Sequence, residues 1–359
     1  MNILPNPSEK APLLNGYPKR IFPPAPFADA IQGPWGGRMP QAIAHRGYKA
    51  EWPENTMNAF ANAIAVGAHA IETDLHLTKD KVVVLSHDGT LKRCFGQDAK
   101  LSDCSWDHIS TLRTVRSPPS PMPRLAELLE YLTQPGMEHV WLLLDIKRDD
   151  DPDELIRRAG ETFASVPSSR PWKERIIMGC WDANYMRRCS LLLPGFGVAY
   201  IGWSKAYAWE LLKHSNVSFN LLQKMLVGPA GTRFIRAAEA RGRQVFVWTV
   251  NEVEWMEWSI RKGGISGVIT DDPKLYLEVC QRYADERNGD APAAGDRFDP
   301  RTSASKEDPG GAQPDSKAWR WTRLYTEVVL IQMLVAVFVL VMRVRLGSER
   351  KRVRDGMRG

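Results

Sequence analysis

Between residues 39 and 283, short apolar runs alternate with stretches in which apolar residues recur every three to four positions. The runs 41–45, 70–77, 82–86, 140–146, 175–179, 198–201, 217–220, 244–249 and 267–270 predict strands. Stretches such as 58–66, 125–133, 153–164 and 232–241 predict helices between them. Strands alternating with helices imply a parallel sheet, and a segment of about 245 residues is the usual size of a (β/α)₈ TIM barrel. Nine runs are one too many for eight strands. Only Thr78-Lys79-Asp80-Lys81 separates the second run from the third, whereas a parallel crossover needs about a dozen residues. These two runs are therefore expected to pair as an antiparallel hairpin at the barrel mouth. A doubly wound open sheet is the alternative, but no Gly-rich phosphate loop follows the first run.

The flanks have a different pattern. Residues 1–38 read as an irregular N-terminal extension containing Pro23-Pro24 and Gly36-Gly37, and 284–318 as a flexible linker almost without large apolar residues. The segment 319–346 is expected to be a membrane anchor, because residues 328–342 are apolar except for Gln332. As a helix those fifteen residues span about 22 Å, short of the roughly 30 Å hydrocarbon core. Trp319, Trp321 and Tyr325 precede the run and arginines flank it, which suits a headgroup interface. Two forms are open: a short tail anchor, and a monotopic insertion whose ends return to one side.

Composition narrows the classes. The 359 residues are 43% hydrophobic and 25% charged, which excludes a disordered chain and a polytopic membrane protein. The net charge of +6 invites nucleic acid or a membrane as partner. Residues 343–359, which contain the basic tail 347–359, hold seven basic and two acidic side chains, so +5 of the charge lies there. The rest is a nearly neutral barrel beside a basic tag, and the expected partner is anionic lipid at a membrane surface rather than nucleic acid. Five scattered cysteines without a CxxC, and no apolar signal-peptide core in 1–40, lead to an expected cytosol-facing barrel with reduced thiols. Its membrane would be the endoplasmic reticulum, a lipid droplet or the mitochondrial outer membrane.

The candidate chemistry is positional. Four strand candidates end in ionisable residues: His45-Arg46-Gly47, Glu72-Thr73-Asp74, His87-Asp88 and Asp145-Ile146-Lys147. Alternation puts Glu72 and Asp74 on one face, and likewise Asp145 and Lys147, at the strand ends where parallel barrels carry their sites. Glu72, Asp74 and Asp145 are hard oxygen ligands without a thiolate, a set that suits Mg²⁺ or Ca²⁺. Arg46 and Lys147 would clamp a phosphate, while His45 and His87 can transfer protons near neutrality. His76 shares the face of Glu72 and Asp74. Asn55 or Thr56 should cap the following helix, with Glu54 near the site. Trp248 is either a wall against substrate or barrel packing. A metal, a cationic clamp and two imidazoles make a kit for cleaving a phosphodiester.

These stretches, with Pro53-Glu54-Asn55-Thr56, Trp248-Thr249-Val250-Asn251 and Thr270-Asp271-Asp272-Pro273, resemble the glycerophosphodiester phosphodiesterase family in order and spacing over 39–283. The resemblance implies a (β/α)₈ barrel of the phospholipase-C-like phosphodiesterase type, with His45 and His87 as acid/base pair. It implies a divalent ion on Glu72, Asp74 and the acid at 145, where many members have Glu, and Arg46 and Lys147 at the phosphate. Within the family the chain most resembles the fungal phosphatidylglycerol phospholipases C. That subgroup implies a glycerophospholipid substrate, with phosphatidylglycerol cleaved to diacylglycerol and glycerol phosphate. The alternatives are a phosphodiesterase for soluble glycerophosphodiesters or a lysophospholipase D, and an inactive, membrane-tethered lipid-binding barrel.

Overall fold

The computed structural model describes residues 22–289 and 322–337. They fall into two compact units, 22–31 with 38–279, and 32–37 with 280–289 and 322–337. In the first unit, eight parallel strands close into a barrel: β1 (Gln41–His45), β2 (Ala70–Leu77), β4 (Trp141–Ile146), β5 (Ile176–Cys180), β6 (Gly197–Gly202), β7 (Ser218–Leu222), β8 (Val245–Trp248) and β9 (Gly267–Thr270). Closure comes from β1, which pairs with β9 on one side and β2 on the other. The extra strand β3 (Val83–Leu85) pairs antiparallel with β2, Leu75 facing Leu85 and Leu77 facing Val83. The short connector thus produces the expected hairpin.

Helices α1 (Met57–Ala65), α2 (Leu125–Leu132), α3 (Pro152–Ser165), α4 (Ala183–Leu192), α5 (Lys205–His214), α6 (Pro229–Glu239), α7 (Val253–Lys262) and α8 (Pro273–Asn288) follow the barrel strands in turn. Sequence explains their starts. Thr56, Asp151, Asp182 and Ser204 each accept a hydrogen bond from a first-turn backbone N–H, satisfying donors the helix leaves unpaired.

The barrel interior is apolar at its N-terminal end, where Ile43, Trp141, Leu143, Ile177, Phe246 and Ile269 pack together. Residues 22–31 close this end. Ala25 and Ala28 enter the same cluster, Gln41 donates to the Phe27 and Asp29 carbonyls at 2.9 and 2.6 Å, and Gln244 donates to Asp29 at 2.7 Å. Part of the segment read as an irregular extension is therefore the floor of the barrel.

Between β3 and α2 an insertion forms a satellite core from Leu91, Leu101, Ile109 and Met122. Its Arg116 reaches back to the carbonyls of Lys49, Ala50 and Trp52, tying the insertion to the loop after β1.

In the second unit, residues 322–337 form a helix in which Leu324 and Val328 are buried and Val329, Leu330, Met333, Leu334 and Val337 are exposed. Sixteen residues rise about 24 Å, less than a bilayer core of roughly 30 Å. Among the described residues no helix is long and apolar enough to cross a membrane. The expected anchor over 319–346 is thus not found as a spanning element within that helix. Positions 319–321 and 338–346, the linker 290–318 and the tail 347–359 lie outside the described residues.

Candidate active site

The site is built at the C-terminal mouth of the barrel, beginning with the turn that ends β1. Arg46 and Gly47 both have positive φ, 57° and 83°. A Cβ on Gly47 would lie 2.7 Å from the Ala59 backbone in α1, so only glycine lets the loop close onto that helix. The costly Arg46 conformation is held by its own N–H, which donates to the Glu72 carbonyl at 2.8 Å and meets Glu72 Oε2 at 3.1 Å. The turn places His45 in the pocket and aims Arg46 along its wall. His45 Nδ1 lies 2.5 Å from Asp271 Oδ1, leaving Nε2 on the pocket side, 4.0 Å from Glu72 Oε2. Asp271 is fixed in turn by Asn251 at 3.0 Å and Lys49 at 3.3 Å. Burial lowers the His45 pKa and the Asp271 bond opposes that shift. Asp271 itself is drawn down to about 2, because the bonds and charges of His45 and Lys49 outweigh its burial.

On β2 and β4 the alternation works as the sequence implies. Glu72, Asp74 and Asp145 face inward, all buried, and one oxygen of each lies within 4.8 Å of the others. Lys147 Nζ bridges Asp74 at 2.7 Å and Asp145 at 2.6 Å, and Arg46 Nε stands 3.3 Å from Asp74. Asn55 Nδ2 donates to Asp74 at 2.9 Å, and Trp181 Nε1 donates to Asp145 at 2.8 Å. Burial would raise the Asp74 pKa, but Lys147 and Arg46 outweigh it and hold the group ionised. Glu72 is pushed far up, by burial first and by the Asp74 and Asp145 charges next. All three ionised would carry one negative charge more than Lys147 and Arg46 offset, an excess that the raised Glu72 pKa reflects. A divalent ion on these hard oxygens would relieve that excess, and the donor set fits one.

His87 enters from the turn after β3. Its Nδ1 is 2.8 Å from Asp88 Oδ1, and the other Asp88 oxygen accepts from Arg93 Nε at 2.7 Å. Arg93 forks onto Glu54 with two bonds of 2.8 Å, and Glu54 accepts from Arg46 at 2.9 Å. One chain of ion pairs therefore runs from His87 to Arg46. The pKa of His87 is lowered mainly by burial, with the Asp74 charge opposing. Glu54 falls to about 2, its burial outweighed by the Arg93 and Arg46 bonds.

Together these groups line a pocket of about 120 Å³ with Trp181, Ile201, Asn220, Trp248, Thr249 and Ile269, which come from β5–β9 and the turns after them. Each half has its own chemistry, one ionic and one largely apolar. The ionic half can bind a phosphate, hold a cation and exchange protons.

The sequence pattern of the Glycerophosphoryl diester phosphodiesterase family matches residues 45–275. The chain belongs to this family. A glycerophosphodiester phosphodiesterase of Bacillus altitudinis is 36% identical over 249 residues, covering 67% of this chain and 98% of its own length. One from Caldanaerobacter subterraneus is 26% identical over 254 residues, with 67% and 97% covered. A human lysophospholipase D is 26% identical over 279 residues, with 67% and 86% covered. Among solved structures, an Oleispira antarctica phosphodiesterase in complex with its product sn-glycerol-3-phosphate aligns with TM-score 0.59 and 21% identity, over 68% of this chain and 97% of that one. A Thermotoga maritima glycerophosphodiester phosphodiesterase aligns with TM-score 0.53 and 26% identity, with 68% and 99% covered. As a member of this family the chain is a phosphoric diester hydrolase.

The eight residues singled out from sequence (His45, Arg46, Glu72, Asp74, His87, Asp145, Lys147 and Trp248) all line this family member's pocket. His76 does not. Its Nδ1 pairs with Asp150 at 2.7 Å and its Nε2 faces the His87 carbonyl at 3.4 Å, so it supports the turn carrying His87. Thr56 caps α1 as expected, whereas Asn55 (φ 54°) turns away to Asp74. The sequence reading missed Asp271, Arg93, Asn220 and the pocket position of Trp181. Asp271 stood inside a recognised motif, Thr270-Asp271-Asp272-Pro273. Its position after the last strand was the available signal.

Proposed function

We propose that the protein hydrolyses the phosphodiester bond of a glycerophospholipid, phosphatidylglycerol first, to diacylglycerol and glycerol phosphate. The observation that carries the chemistry is the pair of histidines, each held at Nδ1 by a carboxylate, facing one pocket with the acidic triad, Arg46 and Lys147. Arg46 and Lys147 orient the phosphate and offset its charge. A divalent cation, Mg²⁺ or Ca²⁺, held by Glu72, Asp74 and Asp145 would supply Lewis-acid polarisation of the phosphoryl oxygens.

The proton steps fall to the histidines. In phosphatidylglycerol the headgroup 2-hydroxyl is one carbon from the ester oxygen, placed for intramolecular attack on phosphorus. One imidazole takes the hydroxyl proton as the new P–O bond forms. The other, protonated, gives its proton to the departing diacylglycerol oxygen as the old P–O bond breaks. Water then opens the cyclic phosphate with the roles reversed.

Support for a lipid substrate comes from the helix at 322–337, whose Val329, Leu330, Met333, Leu334 and Val337 are exposed. An apolar stripe of this kind suits insertion into a membrane surface, and the basic sequence at 343–359 suits anionic lipid. We assign this membrane to the cytosolic side of the endoplasmic reticulum, a lipid droplet or the mitochondrial outer membrane. A second reading, hydrolysis of soluble glycerophosphodiesters or lysophospholipase D action, is favoured by the relatives bearing those names. Product identification on a panel of lipids and soluble diesters, with each metal in turn, separates them. Diacylglycerol from phosphatidylglycerol supports the first reading; turnover of glycerophosphocholine without any from phosphatidylglycerol supports the second.

A further inference from the structure

On the largely apolar half of the pocket, one buried side-chain oxygen finds no partner among the described residues. Asn220 is the third residue of β7, and Phe219 before it packs outward against Phe234 of α6, so alternation turns Asn220 inward. Its side chain is 3% exposed and lines the pocket, yet its buried Oδ1 accepts no hydrogen bond among the described residues. Of the other residues on that half of the pocket, Ile201 and Ile269 are aliphatic, Trp181 Nε1 is used on Asp145, Trp248 Nε1 is used on the Asn220 backbone carbonyl, and the Thr249 hydroxyl makes no bond to Oδ1. A buried carboxamide oxygen left unpaired is destabilising, so its place at a pocket wall points to a ligand that completes it.

The chemistry of that ligand is constrained. Arg46 and Lys147, the phosphate-binding cations, lie after β1 and β4, across the barrel from β7. An anionic oxygen beside Oδ1 would meet repulsion rather than a hydrogen bond. An alcohol hydroxyl both donates and accepts, and so pairs with either end of the carboxamide. We propose that Asn220 binds an alcohol hydroxyl of the group esterified to the phosphate, and thereby selects polyol phosphodiesters over those with plain alkyl groups. The inference rests on the phosphodiester reading above and names the residue that decides which headgroups enter.

The test is a calorimetric titration of the full chain, with Mg²⁺ and then Ca²⁺, using glycerol 3-phosphate and its hydroxyl-free counterpart, propyl phosphate. The wild type should prefer glycerol 3-phosphate by at least about tenfold, equivalent to about 1.4 kcal/mol. Asn220→Leu, close in size and without the carboxamide, should bring that ratio to near one. Asn220→Ala is the second variant should leucine fail to fold. A wild type that binds both phosphates equally or neither, or variants that keep the preference, overturns the assignment. Hydrolysis of the hydroxyl-free diester bis(p-nitrophenyl) phosphate by the wild type is scored in parallel. Its absence with both metals, alongside absent hydrolysis of glycerol diesters, removes the phosphodiesterase reading, while the binding ratio judges Asn220 on its own.

Discussion

His45 and His87 are built alike although they come from different strands. Each has a carboxylate on Nδ1, Asp271 at 2.5 Å and Asp88 at 2.8 Å, which fixes the ring and leaves Nε2 for the proposed proton transfers. Asp271→Asn should lower kcat by roughly 10²- to 10⁴-fold with little change in KM, because the amide holds the imidazole without stabilising its protonated form. Steady-state kinetics on a soluble diester would read it, and an unchanged kcat would remove Asp271 from the proton path. Glu54 gives a stability prediction with a definite sign. Its folded pKa of about 2 lies below its usual 4.5, so the stabilisation is present above pH 4.5 and lost as pH falls toward 2. The loss is at most about 3 kcal/mol for such a shift. Thermal melts of wild type and Glu54→Gln should converge over that window; a gap that stays constant with pH contradicts it.

At the scale of elements, the strands were legible because short continuous apolar runs, buried on both faces, alternate with helical stretches, and the shared face of Glu72 and Asp74 follows from alternation alone. What no local pattern contains is the pairing made by closure. Asp271 meets His45 across 226 residues only because β9 lies beside β1. Arg93 meets Glu54 only because the insertion after β3 folds back over the loop after β1. An exposed-looking arginine in a polar stretch gives no signal of such a role before the chain folds. The insertion thereby contributes a link to the chain of ion pairs between His87 and Arg46. Arg93→Ala should cut kcat/KM by about tenfold or more by releasing Asp88 and Glu54, yet shift stability by under about 1 kcal/mol, since the arginine is half exposed. Equal losses in activity and stability, measured by kinetics and urea unfolding, would make Arg93 merely structural.

For the whole molecule, charge and apolar surface are segregated along the chain. The barrel segment is nearly neutral, and the positive charge gathers in residues 343–359, just beyond the helix with the exposed apolar stripe. Replacing Val329, Leu330, Met333 and Leu334 together by serine should release the protein from phosphatidylglycerol vesicles while leaving turnover of a soluble diester intact. Vesicle co-sedimentation measures this, and undiminished binding would deny the helix its membrane role. The central claim is narrower: that the acidic triad with its cation, and the two imidazoles, cleave a phosphodiester bond at the barrel mouth. Its most direct measurement is phosphomonoester release from a glycerophosphodiester, followed for wild type, His45→Ala and His87→Ala before and after removal of divalent metal. Release by the wild type that disappears with chelator, returns on adding Mg²⁺ or Ca²⁺, and is absent from both variants is the predicted result; release indifferent to chelation and to both substitutions would contradict it.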